Sequence, residues 1–301
     1  MTIQRIQGHI CILCTNIIFG LCIPMLKHLA DGYIAAEALT AFRFFGAACL
    51  FWIAGAFIKP ERVPLKDMAL MFMFAMFAIV LNQGFFIFGL KLSSPVDASV
   101  IVTMTPLIVM ALSAVFLRDP ITRRKFIGVC SGAGGALWLV LSTAKIANST
   151  GTPGGDMLIL ASGFSTAIYF TFSKNLALKY SPITMLKWMF LFAAIVCLPA
   201  SPWIIGEDSI KSSLGWKEYA MICYAIGGAT FLSYLLMTFA IKRMRPTTLA
   251  MYNYVQPFVA TAAAVWVGQD SFSAEKYCAA LLVFLGVYLV TSSPSPSKRE
   301  C

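Results

Sequence analysis

The chain has 301 residues, 59% of them hydrophobic and 12% charged, with a formal net charge of +10. A soluble domain carries about a quarter charged residues, whereas these apolar residues gather in runs of about 18–25, long enough to cross a bilayer core of roughly 30 Å. The composition excludes a soluble domain. The basic excess does not indicate nucleic acid, because Lys and Arg sit at the ends of the apolar runs, where they set topology.

Ten spans are predicted in chain order, at 9–28, 35–58, 67–90, 95–117, 125–142, 155–178, 182–204, 217–241, 246–268 and 275–292. The first begins near His9 and ends at Lys27 and His28. It is too long for a signal-peptide core and lacks a clean A-x-A site, so it reads as a retained helix. Cys11 and Cys14 have redox or metal spacing, but no partner His/Cys pair lies nearby. They and the other cysteines read as small packing residues. The second span, within ALTAFRFFGAACLFW, holds Arg43 in an oily run, with Glu37 six residues earlier. Asn82 and Gln83 interrupt the third span. The fourth carries Asp97 near its start, then Thr103, Thr105 and Pro106. Gly128, Gly132 and Gly135 give the fifth a small, close-packing face. Ser233 and Tyr234 lie in the eighth; Thr248, Tyr252, Asn253, Tyr254, Gln256 and Pro257 in the ninth.

Sliding the sequence by 151 residues lays FGLKLSSPVDASVIVTMTPL (88–107) on FAIKRMRPTTLAMYNYVQPF (239–258) without a gap. Pro95 meets Pro246, Pro106 meets Pro257 and Asp119 meets Asp270. The expected fold is therefore all-α and membrane-integral, with ten transmembrane helices as two inverted five-helix repeats, 1–148 and 149–301, forming one membrane domain. An odd number of helices per repeat inverts the second copy. Charge agrees: RDPITRRK (118–125) is basic and its partner QDSFSAEK (269–276) is not. Basic residues concentrate in the segments that are inner when both termini are cytoplasmic.

At these residues the chain resembles the drug/metabolite transporter superfamily, in its ten-helix EamA type. The resemblance rests on FGLCIPMLK (19–27), LTAFRFFGAACLF (39–51), SPVDASVIVTMTPL (94–107) and LRDPITRRKFIGVCSGAGGALWL (117–139). It covers essentially the whole chain, with one departure: Asp119 and Asp270 stand where the family usually has Glu. The resemblance implies a secondary transporter in the cell (inner) membrane, exporting or facilitating passage of amino acids or related metabolites. It does not specify the substrate.

Inverted repeats place a transporter's site near the midplane between the halves. Pro106 and Pro257 lie eleven residues beyond Pro95 and Pro246, about 16 Å along a helix. Each kinks its helix and frees a carbonyl, of Val102 and Asn253 respectively. Thr248, Tyr252 and Gln256 recur at i, i+4, i+8 and share one helix face. Arg43, Asn82, Gln83, Thr103, Thr105, Tyr234, Tyr252, Asn253, Tyr254 and Gln256 form the candidate lining for a small amphipathic solute. For Arg43 two readings stand: an ion pair or gate with Asp97 or Glu37, or direct recognition of a carboxylate. The acidic residues all fall in loops or near span ends, and there is no Walker A motif. No cofactor, metal or nucleic-acid partner is expected; the expected partners are a small solute and the lipid bilayer, with oligomeric state open. The rival functions are a non-transporting scaffold or receptor, and an integral membrane enzyme.

Overall fold

The computed structural model describes residues 3–93, 101–143, 152–204, 206, 209–210, 212–266 and 274–293. Among these residues ten helices of more than ten residues follow one another. They are α1 (Ile3–Gly32), α2 (Ala36–Ala56), α3 (Leu65–Leu92), α4 (Ile101–Leu117), α5 (Arg123–Thr143), α6 (Pro153–Phe172), α7 (Pro182–Cys197), α8 (Trp216–Arg243), α9 (246–266) and α10 (Ala274–Thr291). By length and composition α1, α2, α3, α6 and α8 suffice to cross a membrane. The outward faces carry Leu21, Ile53, Phe57, Phe126, Leu281, Phe284 and Tyr288 exposed. Such a surface suits hydrocarbon, and every backbone group in hydrocarbon must be satisfied inside its own helix. The chain is a multi-pass membrane protein.

The helix starts follow local chemistry. Thr152 caps α6 by accepting from the Gly155 N–H at 3.3 Å, with Pro153 at the first helical position. Ser181 caps α7 in the same way at 3.2 Å, ahead of Pro182. Proline suits that position, where no intrahelical donor is needed. Helix α1 is longer than its apolar run, because Gln4, Arg5 and Gln7 complete two helical turns that hydropathy cannot register. His9 is therefore inside a helix and not at its edge. The seventh span reaches its expected end at 204, but not as one α-helix: α7 stops at Cys197, a 3₁₀ turn follows at Leu198–Ala200, where Pro199 supplies no N–H, and a last helical turn runs Ser201–Ile204.

Four helices are irregular. In α3 the stretch Met76–Leu81 is a π segment, and in α8 so is Tyr224–Leu232. Shifted by 151 residues, 76–81 falls on 227–232, inside the second π segment. In α4 the helix breaks at Met104, just before Pro106. The Met104 N–H turns back to the Ile101 carbonyl at 3.0 Å. In α9 a 3₁₀ turn, Tyr252–Tyr254, comes just before Pro257. Both prolines remove one backbone bond, and the preceding turn tightens to re-use the remaining donors.

Each N-terminal helix of a half packs on the other half. Helix α1 lies on α8 and α9, and α6 lies on α3 and α4. Helices α2 and α7 face each other at the centre, where Phe51 stacks on Phe190 at 5.2 Å and meets Phe231 at 4.5 Å. Helices α5 and α10 pack through glycine. Gly128 meets 286–290, Gly132 meets Gly286, and the Ser131 hydroxyl donates to the Leu282 carbonyl at 3.0 Å, so the two helices run antiparallel. A Cβ on Gly286 would lie 2.5 Å from the Gly128 carbonyl oxygen and 2.7 Å from the Gly132 nitrogen. These are backbone atoms that no rotamer change can move. Gly286→Ala is expected to destabilise the protein by about 1–3 kcal/mol, read as a lowered unfolding midpoint in detergent. Gly134→Ala, where an added Cβ meets nothing within 4 Å, is expected to be neutral.

Candidate functional site

Arg43 is 8% exposed and sits where α2, α3 and α8 meet. Its Nε donates to the Thr230 hydroxyl at 2.9 Å, and its Nη1 donates to the Gln83 amide oxygen at 3.4 Å. Thr230 is fully buried in the π segment of α8 and donates in turn to the Ala225 carbonyl, five residues back, at 2.8 Å. That i−5 bond follows the wider π turn, which carries Thr230 round toward α2. The Thr230 oxygen is thereby held as an acceptor for the guanidinium.

The expected partnership of Arg43 with Glu37 is not formed. Glu37 pairs with Lys91 at the end of α3. The reason is helical geometry: residues six apart are rotated by about 240° and separated by about 9 Å, so they share no face. Asp97 lies outside the described residues. Among the described residues no carboxylate pairs with Arg43. A guanidinium has five N–H donors, and two of them are used here.

The remaining candidates divide by the helix they face. The Asn82 amide nitrogen donates to Ser162 Oγ (3.0 Å), the Ser162 carbonyl (3.1 Å) and Thr166 Oγ1 (2.5 Å), while Ser162 Oγ donates to the Asn82 carbonyl (2.8 Å). This amide therefore clamps α3 to α6. Tyr234 is buried, and its hydroxyl donates to the Ala78 carbonyl at 3.2 Å, within the π segment of α3. Gln256 donates to the Asn16 amide oxygen at 2.7 Å, and the Tyr252 hydroxyl meets His9 Nδ1 at 2.8 Å. Thr248 lines a pocket with His9. So Thr248, Tyr252 and Gln256 do look the same way, onto α1. Tyr254 looks elsewhere, and its hydroxyl donates to the Thr103 carbonyl at 2.8 Å. Thr105 is buried beside Gly163 of α6, where a Cβ on that glycine would come within 2.9 Å of its hydroxyl. Asn253 is half-buried in the 3₁₀ turn; Pro106 is buried and Pro257 half-buried.

Several participants escaped sequence reasoning. Thr230, Asn16, Ser162 and Thr166 are the partners of the candidate residues. Asn16 carries a signal, since an amide inside the first apolar run is costly without a partner. Threonine and serine carry none, because a helix satisfies their hydroxyls locally. Ion pairs also close the helix ends: Lys125 with Asp119, buried, at 2.6 Å, and the exposed Lys179 with Asp67.

Residues 6–141 and 153–292 match the EamA-like transporter family. The chain belongs to that family. It is 28% identical over 273 residues to an uncharacterized transporter of Archaeoglobus fulgidus, spanning 90% of this chain and 94% of the relative. An uncharacterized transporter of Bacillus subtilis is 23% identical over 289 residues, spanning 94% and 93%. A WAT1-related protein of Arabidopsis thaliana is 24% identical over 258 residues, spanning 77% and 69%. A solved crystal structure superposes with a TM-score of 0.78 at 17% identity, over 95% of this chain and 98% of that one, and so shares the fold. The EamA-like assignment makes this a membrane transporter.

Because Asn82 is spent between α3 and α6, Asn82→Ala is expected to lower stability by about 0.6–1.7 kcal/mol, the range of interhelical hydrogen bonds in membranes. Thermal unfolding of the purified protein checks this. An unchanged midpoint with transport lost would assign Asn82 to solute binding instead.

Proposed function

We propose that this EamA-like transporter is a secondary carrier of small organic solutes bearing a carboxylate, such as amino acids, and that Arg43 holds the carboxylate. The observation that carries the reading is the state of Arg43: buried, oriented by Thr230 and Gln83, and paired with no carboxylate among the described residues. A cation at a helix centre costs about 2.5–3.5 kcal/mol on insertion scales. A planar guanidinium offers a fork of parallel donors that matches a carboxylate. The solute's own anion then offsets the cost that no carboxylate among the described residues offsets.

The carrier works by alternating access between two inverted halves, 1–148 and 149–301. Two contacts support this. Tyr254 bonds to Thr103, and Ser131 bonds to Leu282; each pair is 151 residues apart, the repeat interval. A residue that touches its own equivalent lies near a two-fold axis. For α5 and α10 the partners run antiparallel, as an axis lying in the membrane plane requires. Arg43 touches α3 and α8, one helix from each half, so a solute bound there is gripped by both.

The test is transport in proteoliposomes loaded with labelled amino acids or their decarboxylated amines. Arg43→Gln is expected to reduce carboxylate transport by roughly tenfold or more, as loss of a charge-assisted bond implies, at unchanged abundance. Arg43→Lys is expected to restore only part of it, because an ammonium lacks the planar fork. Glu37→Gln is expected not to repair Arg43→Gln. Normal transport by Arg43→Leu would end this reading.

The proposed orientation, with both termini cytoplasmic in the inner membrane, has its own check. Cysteines introduced near Lys145 and Lys211 are expected to label from outside intact cells. Those near Arg123 and Arg243 are expected to stay protected. The reverse pattern inverts the topology.

A further inference from the structure

A second polar feature lies away from Arg43, at the end of the bundle that carries the N-terminus. Arg5, His9, Lys174, Arg243, Met244, Arg245 and Thr248 line a pocket of about 230 Å³. The cations come from separate elements: Arg5 from α1, Lys174 from the start of the short helix Lys174–Lys179 after α6, Arg243 from the end of α8, and Arg245 from the link to α9. Their existing partners are mostly backbone carbonyls. Lys174 Nζ donates to the Met244 carbonyl at 2.9 Å, Arg243 to the Phe239 carbonyl at 3.1 Å and Arg245 to the Ser293 carbonyl at 2.6 Å. The carboxylate nearby is Asp119, 3.9 Å from Arg245 and already bonded to buried Lys125.

Like charges that merely set topology spread apart along helix ends. Here they converge on one concavity. Burial and the neighbouring Arg245 hold the Lys174 ammonium below its ordinary value. Burial also lowers Arg245, against the pull of Asp119 and with the push of Arg5. The wall carries one further donor position. With the Tyr252 hydroxyl bonded to His9 Nδ1, Nε2 of that ring is buried without a hydrogen-bond partner among the described residues. A bound anion would offset the repulsion among these cations.

We infer that this pocket is an anion-binding site for a phosphate group, held by Arg5, Lys174, Arg243, Arg245 and His9. Its size sets the class of ligand. At about 230 Å³ it falls below the roughly 300–1,000 Å³ of pockets that enclose a whole metabolite, so it takes a headgroup-sized anion. Phosphate chemistry has two sources here, a free phosphate in solution or the headgroup of an anionic lipid. The site is independent of the carboxylate reading for Arg43.

The experiment uses the full-length protein in nanodiscs of zwitterionic lipid. In one arm inorganic phosphate is titrated and the unfolding midpoint followed. In the other, phosphatidylglycerol is supplied and the lipid retained by the protein is counted by native mass spectrometry. A saturable rise of the midpoint with phosphate identifies the soluble source. Stoichiometric retention of phosphatidylglycerol identifies the lipid source. Either supports the site, provided that Arg5→Gln weakens the binding by roughly tenfold, the loss of one charge-assisted contact. Among the described residues the Arg5 side chain makes no hydrogen bond that the change would break, and His9→Gln serves as a second variant that keeps a polar group. Lys59→Gln, a charge removed from a loop outside the pocket, is expected to leave binding unchanged, as is Arg43→Gln. If neither probe binds, or if Lys59→Gln weakens binding as much as Arg5→Gln does, the site does not exist as described.

Discussion

Arg43 can occupy the interior of this bundle because Thr230 is turned to meet it. In a bilayer core no solvent completes a hydrogen bond, so a buried guanidinium needs protein acceptors or an anion. The π segment of α8 supplies the first of these. Its wider turn lets the Thr230 hydroxyl donate five residues back and still accept from Arg43 Nε. One local irregularity in α8 thus decides the orientation of a side chain on α2. The same constraint explains why Glu37 is drawn to Lys91 and not to Arg43: each charge finds the partner that its helix face allows.

The other polar contacts obey a common logic. Two of them join α3 and α8 to helices from the other end of the chain. Asn82 with Ser162 and Thr166 joins α3 to α6. Thr15 with the Ser233 carbonyl, at 3.3 Å, joins α8 to α1. Residues 82 and 233 are separated by the repeat interval, so the same position on α3 and α8 anchors the first helix of the opposite half. Since van der Waals packing and such bonds drive helix association in lipid, this exchange of first helices ties the two halves together.

Much of the helical order was legible in the chain. The second helix was expected at 35–58 and runs Ala36–Ala56; the tenth was expected at 275–292 and runs Ala274–Thr291. Run length and proline position are local properties, and local properties survive into the fold. The breaks before Pro106 and Pro257 follow from the missing N–H. The candidate site was legible as a set of residue types but not as a set of contacts. Asn82, Gln83, Tyr252 and Gln256 stood out because amides and phenols are costly in an apolar run. Thr230, Ser162 and Thr166 did not, because a helix satisfies their hydroxyls without help.

The sequence by itself determined that this is an all-helical membrane protein, where several of its helices begin and end to within a few residues, and which family it resembles. Hydrophobic length, proline and charge act over one or two turns, so a linear reading can weigh them. Only the tertiary structure decided which polar group meets which. The π segments at 76–81 and 224–232 leave no trace in an apolar pattern, since α and π turns bury the same residue types. Their effect is a rotation of everything downstream, and the consequence of a rotation depends on the neighbour it faces. That neighbour is another helix, often of the other half, and it is why Arg43 meets Thr230 and not the acid nearest to it in sequence.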